Sequence, residues 1–322
     1  MKQLFVMILL AAMALAGCRR ADYHTASGAV WGTTYHITYR SAADLSDSVL
    51  AEMRRVELSL SAFDNGSLLT AVNMGRTDSV DVRFEQVFAV AKRVYALSGG
   101  AFDPTVGPLV ELWGFGRNRT AAQADSAAVA AALERVCFDR CSIVEHRVQR
   151  PRADVQFDFS AIAKGYGVDC VAAMLQRNGV TDFMVEIGGE VVVSGCNPHG
   201  QAWRIMVDAP QRDTAPGDSA VTVLQLHNEA VATSGNYRNY RCDSTGAIYG
   251  HTINPRTGYP VRTTTLSATV VCSSCVEADA LATACMVMHP DSAMSMLQRA
   301  GARGLLVIAA DTAGYEIKST LQ

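Results

Sequence analysis

Charge is sparse and nearly balanced. Lys and Arg total 28, Asp and Glu 31, and the formal net charge over 322 residues is −3. The large basic excess of a general nucleic-acid binder is missing. With 18% charged and 49% hydrophobic residues, the chain is also far from the composition of a disordered protein. Its 9 prolines and 25 glycines exclude collagen-like and low-complexity chains. No strand-like run leads into Gly-x-Gly-x-x-Gly, and no segment has Walker spacing, so the common nucleotide-binding fingerprints are absent. There is no internal repeat. A chain of this length is expected to form one large domain or two intimately packed ones, with ample core.

The amino terminus carries an address. Lys2 precedes an almost unbroken apolar run from Leu4 to Leu15, too short and wrongly flanked for a stable membrane span. It ends in Leu15-Ala16-Gly17-Cys18, which resembles a bacterial lipobox. That resemblance implies a signal peptide over residues 1–17, lipidation of the Cys18 thiol, and a globular domain over 18–322. The domain would be held on the periplasmic side of a membrane. An ordinary secretory signal with a chance cysteine is the alternative. The remaining cysteines include Cys272-Ser273-Ser274-Cys275. Paired with Cys137 and Cys141 this would make a four-sulfur zinc site. Without a second Cys-x-x-Cys, buried thiols are the better expectation.

Periodicity gives the fold class. Val30 to Tyr39 reads as a strand, and Val49, Met53, Val56 and Leu60 fall at helical spacing over 46–60. Phe84 to Tyr95 marks a helix stopped by Gly99-Gly100, and Ala121 to Val136 marks another. Residues 153–159 alternate as a strand would, followed by a helix from about Ala161 to Arg177. Strands are expected at Phe183–Ile187, Val191–Ser194, Trp203–Val207, Val221–Leu226, Leu266–Val271 and Gly304–Ala309, and a helix at Glu277–Met288. Pro210 to Asp218 reads as a surface loop. Strands and helices mix without regular βαβ alternation. This argues for α+β, with mainly antiparallel sheets and helices packed on them.

Four segments could carry chemistry. Gly99 to Gly116 concentrates Gly, Pro and aromatics after a helix, as a shaped loop does. Asp158 to Gly167 is a strand-to-helix junction, and the unpaired N–H groups of a helix start attract phosphates. Lys164 opposes the dipole there, so it either reaches an anion or is a solvated lysine. Thr233 to Tyr237 and His251 to Pro260 are polar, turn-rich segments of the kind that line sites. In Glu277 to Ala284, Asp279 and Thr283 stand i and i+4 on one helix face among small neighbours. A carboxylate and a hydroxyl so placed suit Mg²⁺. The alternative is a helix-start Asp beside a Thr bonded back to its own helix.

GGAFDPTVGPLVELWGFG, FDFSAIAKGYGVD, VEIGGE, ATSGNYRNY, HTINPRTGYP and EADALATA occur in that order over residues 99–284. WGTTYHITY and SAFDNGSLLTAVN precede them. Together they resemble the ApbE family, the FAD:protein FMN transferases. The resemblance implies a T-fold-like α+β fold. It also implies cleavage of FAD at its pyrophosphate and transfer of FMN to a Thr or Ser hydroxyl of a target protein, with release of AMP. Targets would be flavin-carrying subunits of membrane redox complexes of the Nqr and Rnf types. By motif position, Ala101, Phe102, Asp103, Asp158, Lys164, His251 and Ile253 would contact FAD. The Ala161 carbonyl, Asp279 and Thr283 would hold Mg²⁺. His251 is the expected general base, with Asp279 its rival. The sequence departs from the family pattern at Trp31 (usually Met), Phe63 (usually Tyr), Glu190 and Asn254 (each usually Asp). Two other readings stand beside the transferase: an FAD pyrophosphatase, with water as acceptor, and a non-enzymatic flavin-binding lipoprotein.

Overall fold

The Thr- and Tyr-rich run expected as one strand is the second half of a hairpin. In the computed structural model, which describes residues 21–117, 124–210, 219–236, 240–242, 248–310 and 314–321, β1 (Asp22–Val30) pairs antiparallel with β2 (Thr33–Ser41). Trp31 and Gly32 between them have φ of +50° and +76°, the left-handed pair that suits a two-residue hairpin turn. Tryptophan gives no turn signal, so this turn is invisible in the sequence. The polar leader before it is an edge strand. The signal segment, Cys18, residues 211–218 and Tyr237 lie outside the described residues.

Helices α1 (Ser46–Leu60), α2 (Leu68–Asn73) and α3 (Val82–Leu97) follow. Ser67 caps α2 through the Thr70 amide and Asp81 caps α3 through the Phe84 amide. Val49, Met53, Val56 and Leu60 make the buried face of α1, as their spacing requires. Next come α4 (Gly107–Leu112) and α5 (Ser126–Leu133). Within the described residues the Ala-rich helix runs from its Asp125 cap to Leu133; Ala121, where the sequence pattern begins it, lies outside them. A small hairpin, β3 (Ser142–Val144) with β4 (Arg147–Gln149), precedes α6 (Ala163–Arg177).

The centre is an antiparallel eight-stranded sheet. It uses β5 (Phe183–Ile187), β6 (Glu190–Ser194), β9 (Ala230–Gly235), β12 (Thr265–Cys272), β13 (Arg303–Ala309) and β14 (Tyr315–Ser319) beside the first hairpin. The order is β1-β2-β5-β6-β9-β12-β13-β14. Two further hairpins, β7 (Trp203–Asp208) with β8 (Ala220–Leu226) and β10 (Tyr240–Cys242) with β11 (Ile248–Gly250), stand outside it. Alternation along the strands sorts the two faces. Val191, Val193, Val231 and Val271 pack with Trp203, Val207, Leu224 and Leu226 of the β7–β8 hairpin. Ala230, Ala232, Ala268 and Val270 belong to the cores built with the helices. On that side α6 packs beside α7 (Cys275–Val287), which is followed by α8 (Pro290–Arg299). α7 is buried almost all round, so its small, apolar sequence has no polar stripe.

The architecture is the α+β arrangement expected. Two local readings need correction. Residues 153–159 form no strand. The Asn73 side chain stands in for a partner strand: its Oδ1 accepts the Phe157 N–H at 2.8 Å and its Nδ2 donates to the Phe157 carbonyl at 2.8 Å. Thr233 to Gly235, read as lining a site from a loop, end a central strand instead and line the cleft of the candidate site from there. These small polar residues are tolerated there because Thr233 and Thr269 pair across strands, 2.9 Å apart. The helix Pro290–Arg299, the strand Tyr315–Ser319 and the short β3–β4 hairpin were not anticipated. As for zinc, the described residues contain no group of three or more His, Cys, Asp or Glu able to hold a metal. Burial pushes the thiols of Cys141 and Cys272 up to about 12, the opposite of a metal-ready thiolate.

Candidate active site

The separate motifs meet in one cleft of about 620 Å³, a size suited to a dinucleotide-class ligand. Ala101, Phe102, Asp103, Asp158, Ala161, Lys164, His251, Ile253, Asp279 and Thr283 all line it. Each site residue expected from sequence within the described chain therefore faces the same space. Glu190, Trp31 and Phe63 join them.

The floor is made where α6 and α7 meet. Gly165, in the first turn of α6, lies so close to α7 that a Cβ there would sit 2.7 Å from the Cys275 carbonyl carbon and 2.8 Å from Asp279 Cβ. At this contact the Gly165 N–H donates to Asp279 Oδ2 at 3.0 Å. In a regular helix that amide would bond the carbonyl four residues back, Ala161. Among the described residues no backbone amide donates to the Ala161 oxygen. A carbonyl oxygen and a buried carboxylate, 3% exposed, thus enter one cleft with oxygen lone pairs unused by the ladder. The Thr283 hydroxyl, one turn beyond Asp279, contacts Ser234 Oγ at 3.2 Å. Hard oxygen donors of this kind fit Mg²⁺, which takes few protein ligands and keeps water or phosphate in its shell.

Lys164 does not stand alone as a solvated lysine. Its Nζ is 2.5 Å from Glu190 Oε1 and 4.0 Å from Asp279 Oδ1. Burial works against its charge, but the Asp279 and Glu190 carboxylates outweigh it and hold the ammonium above its ordinary value. Glu190 starts β6, just after Gly188 and Gly189, whose φ values are +65° and +96°. Only that tight glycine turn brings its side chain back over the floor. Burial raises the Glu190 carboxyl against the pull of Lys164. Glu190 Oε2 has no partner among the described residues, an unusual state for a buried oxygen.

The walls are less charged. Asp103 turns its carboxylate inward: Oδ1 accepts the Thr105 amide at 2.7 Å and the Thr105 hydroxyl at 2.5 Å. Burial lifts its pKa, opposed by those bonds. Those two bonds fix the loop's shape at the cleft wall. Phe102 is 3% exposed and belongs to the main core, leaving its backbone and Ala101 as wall. Asp158 Oδ1 accepts the Ser160 amide at 2.8 Å, while its own N–H donates to the Pro104 carbonyl at 2.6 Å. That second bond stitches the first loop to the extended segment that leads into α6. His251 stands edge-on to Phe115, with ring centroids 6.3 Å apart, and Ile253 bridges to Pro260. The exposed Phe63 and Met206 stand at the rim.

Two roles escape sequence reasoning: the pairing of Glu190 with Lys164 and the support that Asn73 gives the Phe157 segment. Glu190 carries a weak signal, a charge at the head of the apolar run Val191-Val192-Val193. Asn73 carries none, because its partner lies 84 residues away.

Comparison with known proteins completes the description. Residues 31–306 match the model of the ApbE family. A curated protein of Vibrio cholerae named FAD:protein FMN transferase is 33% identical, across 98% of this chain and 97% of its own length. The solved flavin transferase ApbE from Vibrio cholerae superposes with a TM-score of 0.84 at 32% identity, over 93% of this chain and 97% of that one. The apo form of Pseudomonas stutzeri flavinyl transferase ApbE does so at 0.83 and 31%, over 93% and 95%.

Proposed function

The chain belongs to the ApbE family, and on that premise we propose that it is an FAD:protein FMN transferase, moving FMN from FAD to a Thr or Ser hydroxyl of an acceptor protein. The acceptor oxygen attacks the flavin-side phosphorus, the diphosphate P–O bond breaks, and AMP leaves. The product is an FMN phosphoester on the acceptor. Such reactions depend mainly on positioning and on stabilising charge. Asp279, the Thr283 hydroxyl and the Ala161 carbonyl are the residues that would hold Mg²⁺, which supplies charge neutralisation at the diphosphate.

Every other role falls to the chain itself. Lys164, held by Glu190, adds positive charge to the same cleft. The buried floor excludes water. His251 accepts the hydroxyl proton, help typically worth about 10²–10⁴-fold. The Gly-rich loop around Ala101, Phe102 and Asp103, with Asp158 and Ile253, forms the FAD wall. Acceptors would be flavin subunits of Nqr- or Rnf-type membrane complexes. A lipidated Cys18 would keep the enzyme on the periplasmic side, beside them.

The observation that supports this reading most is the Gly165 amide spent on Asp279, which leaves the Ala161 oxygen for a cation. The test is incubation with FAD, Mg²⁺ and an acceptor domain. Covalent flavin fluorescence on the acceptor, with AMP released one for one, is expected. Free FMN and AMP without labelled acceptor would favour the pyrophosphatase instead, and intact bound FAD a non-enzymatic binder.

A further inference from the structure

α7 begins without a local cap. Its N-cap residue, Ser274, makes no side-chain capping bond, although the first amides of a helix need acceptors. They find one on another helix. Asp169 of α6 accepts the Cys275 N–H on Oδ1 and the Val276 N–H on Oδ2, each at 2.9 Å.

Asp169 is one turn beyond Gly165, and Asp279 is one turn beyond Cys275, so each pair shares a helix face. Two successive turns of α6 thereby grip two successive turns of α7. Asp169 holds the start of α7, and the Gly165 amide holds Asp279. A single contact would let α7 slide or rotate. Two contacts a turn apart fix both its axial position and its rotation.

We propose that Asp169 is a positioning residue for the metal-binding turn: its cap on α7, given from α6, sets the register that keeps Asp279 and Thr283 facing the Ala161 oxygen. The inference rests on the Mg²⁺ reading above and extends it to a residue outside the cleft. A purely structural cap would be replaceable by a local one, whereas a register tie would not.

The test uses the whole chain as wild type, Asp169→Asn, Asp169→Ala, and Asp169→Ala combined with Ser274→Asp. The last variant gives α7 a local N-cap without the tie to α6. Three quantities are measured: thermal midpoint, FAD affinity in EDTA by flavin fluorescence, and Mg²⁺ affinity of the FAD-loaded protein by calorimetry. Asp169→Ala is expected to lower the thermal midpoint and weaken Mg²⁺ binding by about 10–100-fold, as loss of an outer partner typically does. FAD affinity in EDTA should not change. Asp169→Asn, which keeps the volume and one acceptor, should fall between. Ser274→Asp should restore the thermal midpoint and leave Mg²⁺ binding weak. Recovery of both by Ser274→Asp, or wild-type Mg²⁺ affinity in Asp169→Ala and Asp169→Asn, overturns the inference while leaving the metal reading intact. A wild-type protein that binds no Mg²⁺ with FAD overturns the metal reading, and this inference with it.

Discussion

Replacing Gly165 by Ala sets two effects against each other. In a helix Ala is favoured over Gly by about 1 kcal/mol, so helix propensity alone expects stabilisation. The structure expects the reverse. The new Cβ would overlap the Cys275 carbonyl and stand 2.8 Å from Asp279 Cβ. To reach 3.4 Å, where ordinary contact begins, at the Cys275 carbonyl oxygen, α6 and α7 must part by about 1 Å, in a close-packed core that yields little. Overpacking of this kind costs about 1–3 kcal/mol, so the net change is a loss of about 0–2 kcal/mol. The consequence for chemistry is larger. Asp279 moves with α7, and a misplacement near 1 Å can cost about 100-fold in rate. The assays are urea denaturation and the initial rate of covalent FMN transfer. The expected outcome is modest destabilisation with a rate reduced by about 30–100-fold. A variant more stable than wild type and fully active would show that the helices do not press together there, and the account of the cleft floor would fall.

Other outcomes follow from the same geometry. Asp279→Ala should fold and yet lose Mg²⁺-dependent transfer by more than about 100-fold, beyond the usual effect of an outer partner; near-normal transfer would remove Asp279 from the metal site. Asn73→Ala strips both backbone partners from the buried Phe157 and should cost about 2–4 kcal/mol in urea unfolding, while a change below about 0.5 kcal/mol would show that the clamp is dispensable. Burial raises Asp169 to about 6 from its ordinary 3.8, against the pull of the Val276 and Cys275 amides and with Asp279 adding to the rise. Because the native value lies above the unfolded one, the stability from this group is complete below about pH 4 and is lost as pH rises through about 6. The difference in unfolding free energy between wild type and Asp169→Asn should therefore move against wild type over that window, and a pH-independent difference would contradict it. Cys141, Cys272 and Cys285, each pushed by burial to about 12, should resist alkylation at pH 8 until the protein unfolds, as mass spectrometry of labelled peptides can show.

Elements with strong periodicity were legible in the sequence. The spacing of Val49, Met53, Val56 and Leu60 gave α1, and the apolar run at Phe183–Ile187 gave β5, because local pattern dictates local structure. What the sequence hid is long-range. The extended segment around Phe157 looks like a strand by alternation, but its hydrogen bonds go to a side chain. The turn at Trp31-Gly32 uses a left-handed tryptophan. β9 looks like a loop because Thr233, Ser234 and Gly235 are small and polar, and only their place between β6 and β12 makes them a strand. At the site, residue types and spacing pointed to Asp279, Thr283 and the junction at Asp158 to Lys164. They said nothing of Asp169 tying α7 to α6. Nor did they show Lys164 bound to Glu190, since that ion pair depends on a glycine turn folding β6 back over the cleft.

The most direct test of the central claim is crystallographic. Crystals of the protein soaked with FAD and Mn²⁺, with data collected at the manganese edge, should show one anomalous peak within ligand distance of an Asp279 carboxylate oxygen, the Thr283 hydroxyl and the Ala161 carbonyl, with diphosphate oxygens completing its shell. A peak elsewhere in the cleft, or diphosphate density away from that junction, would contradict the account.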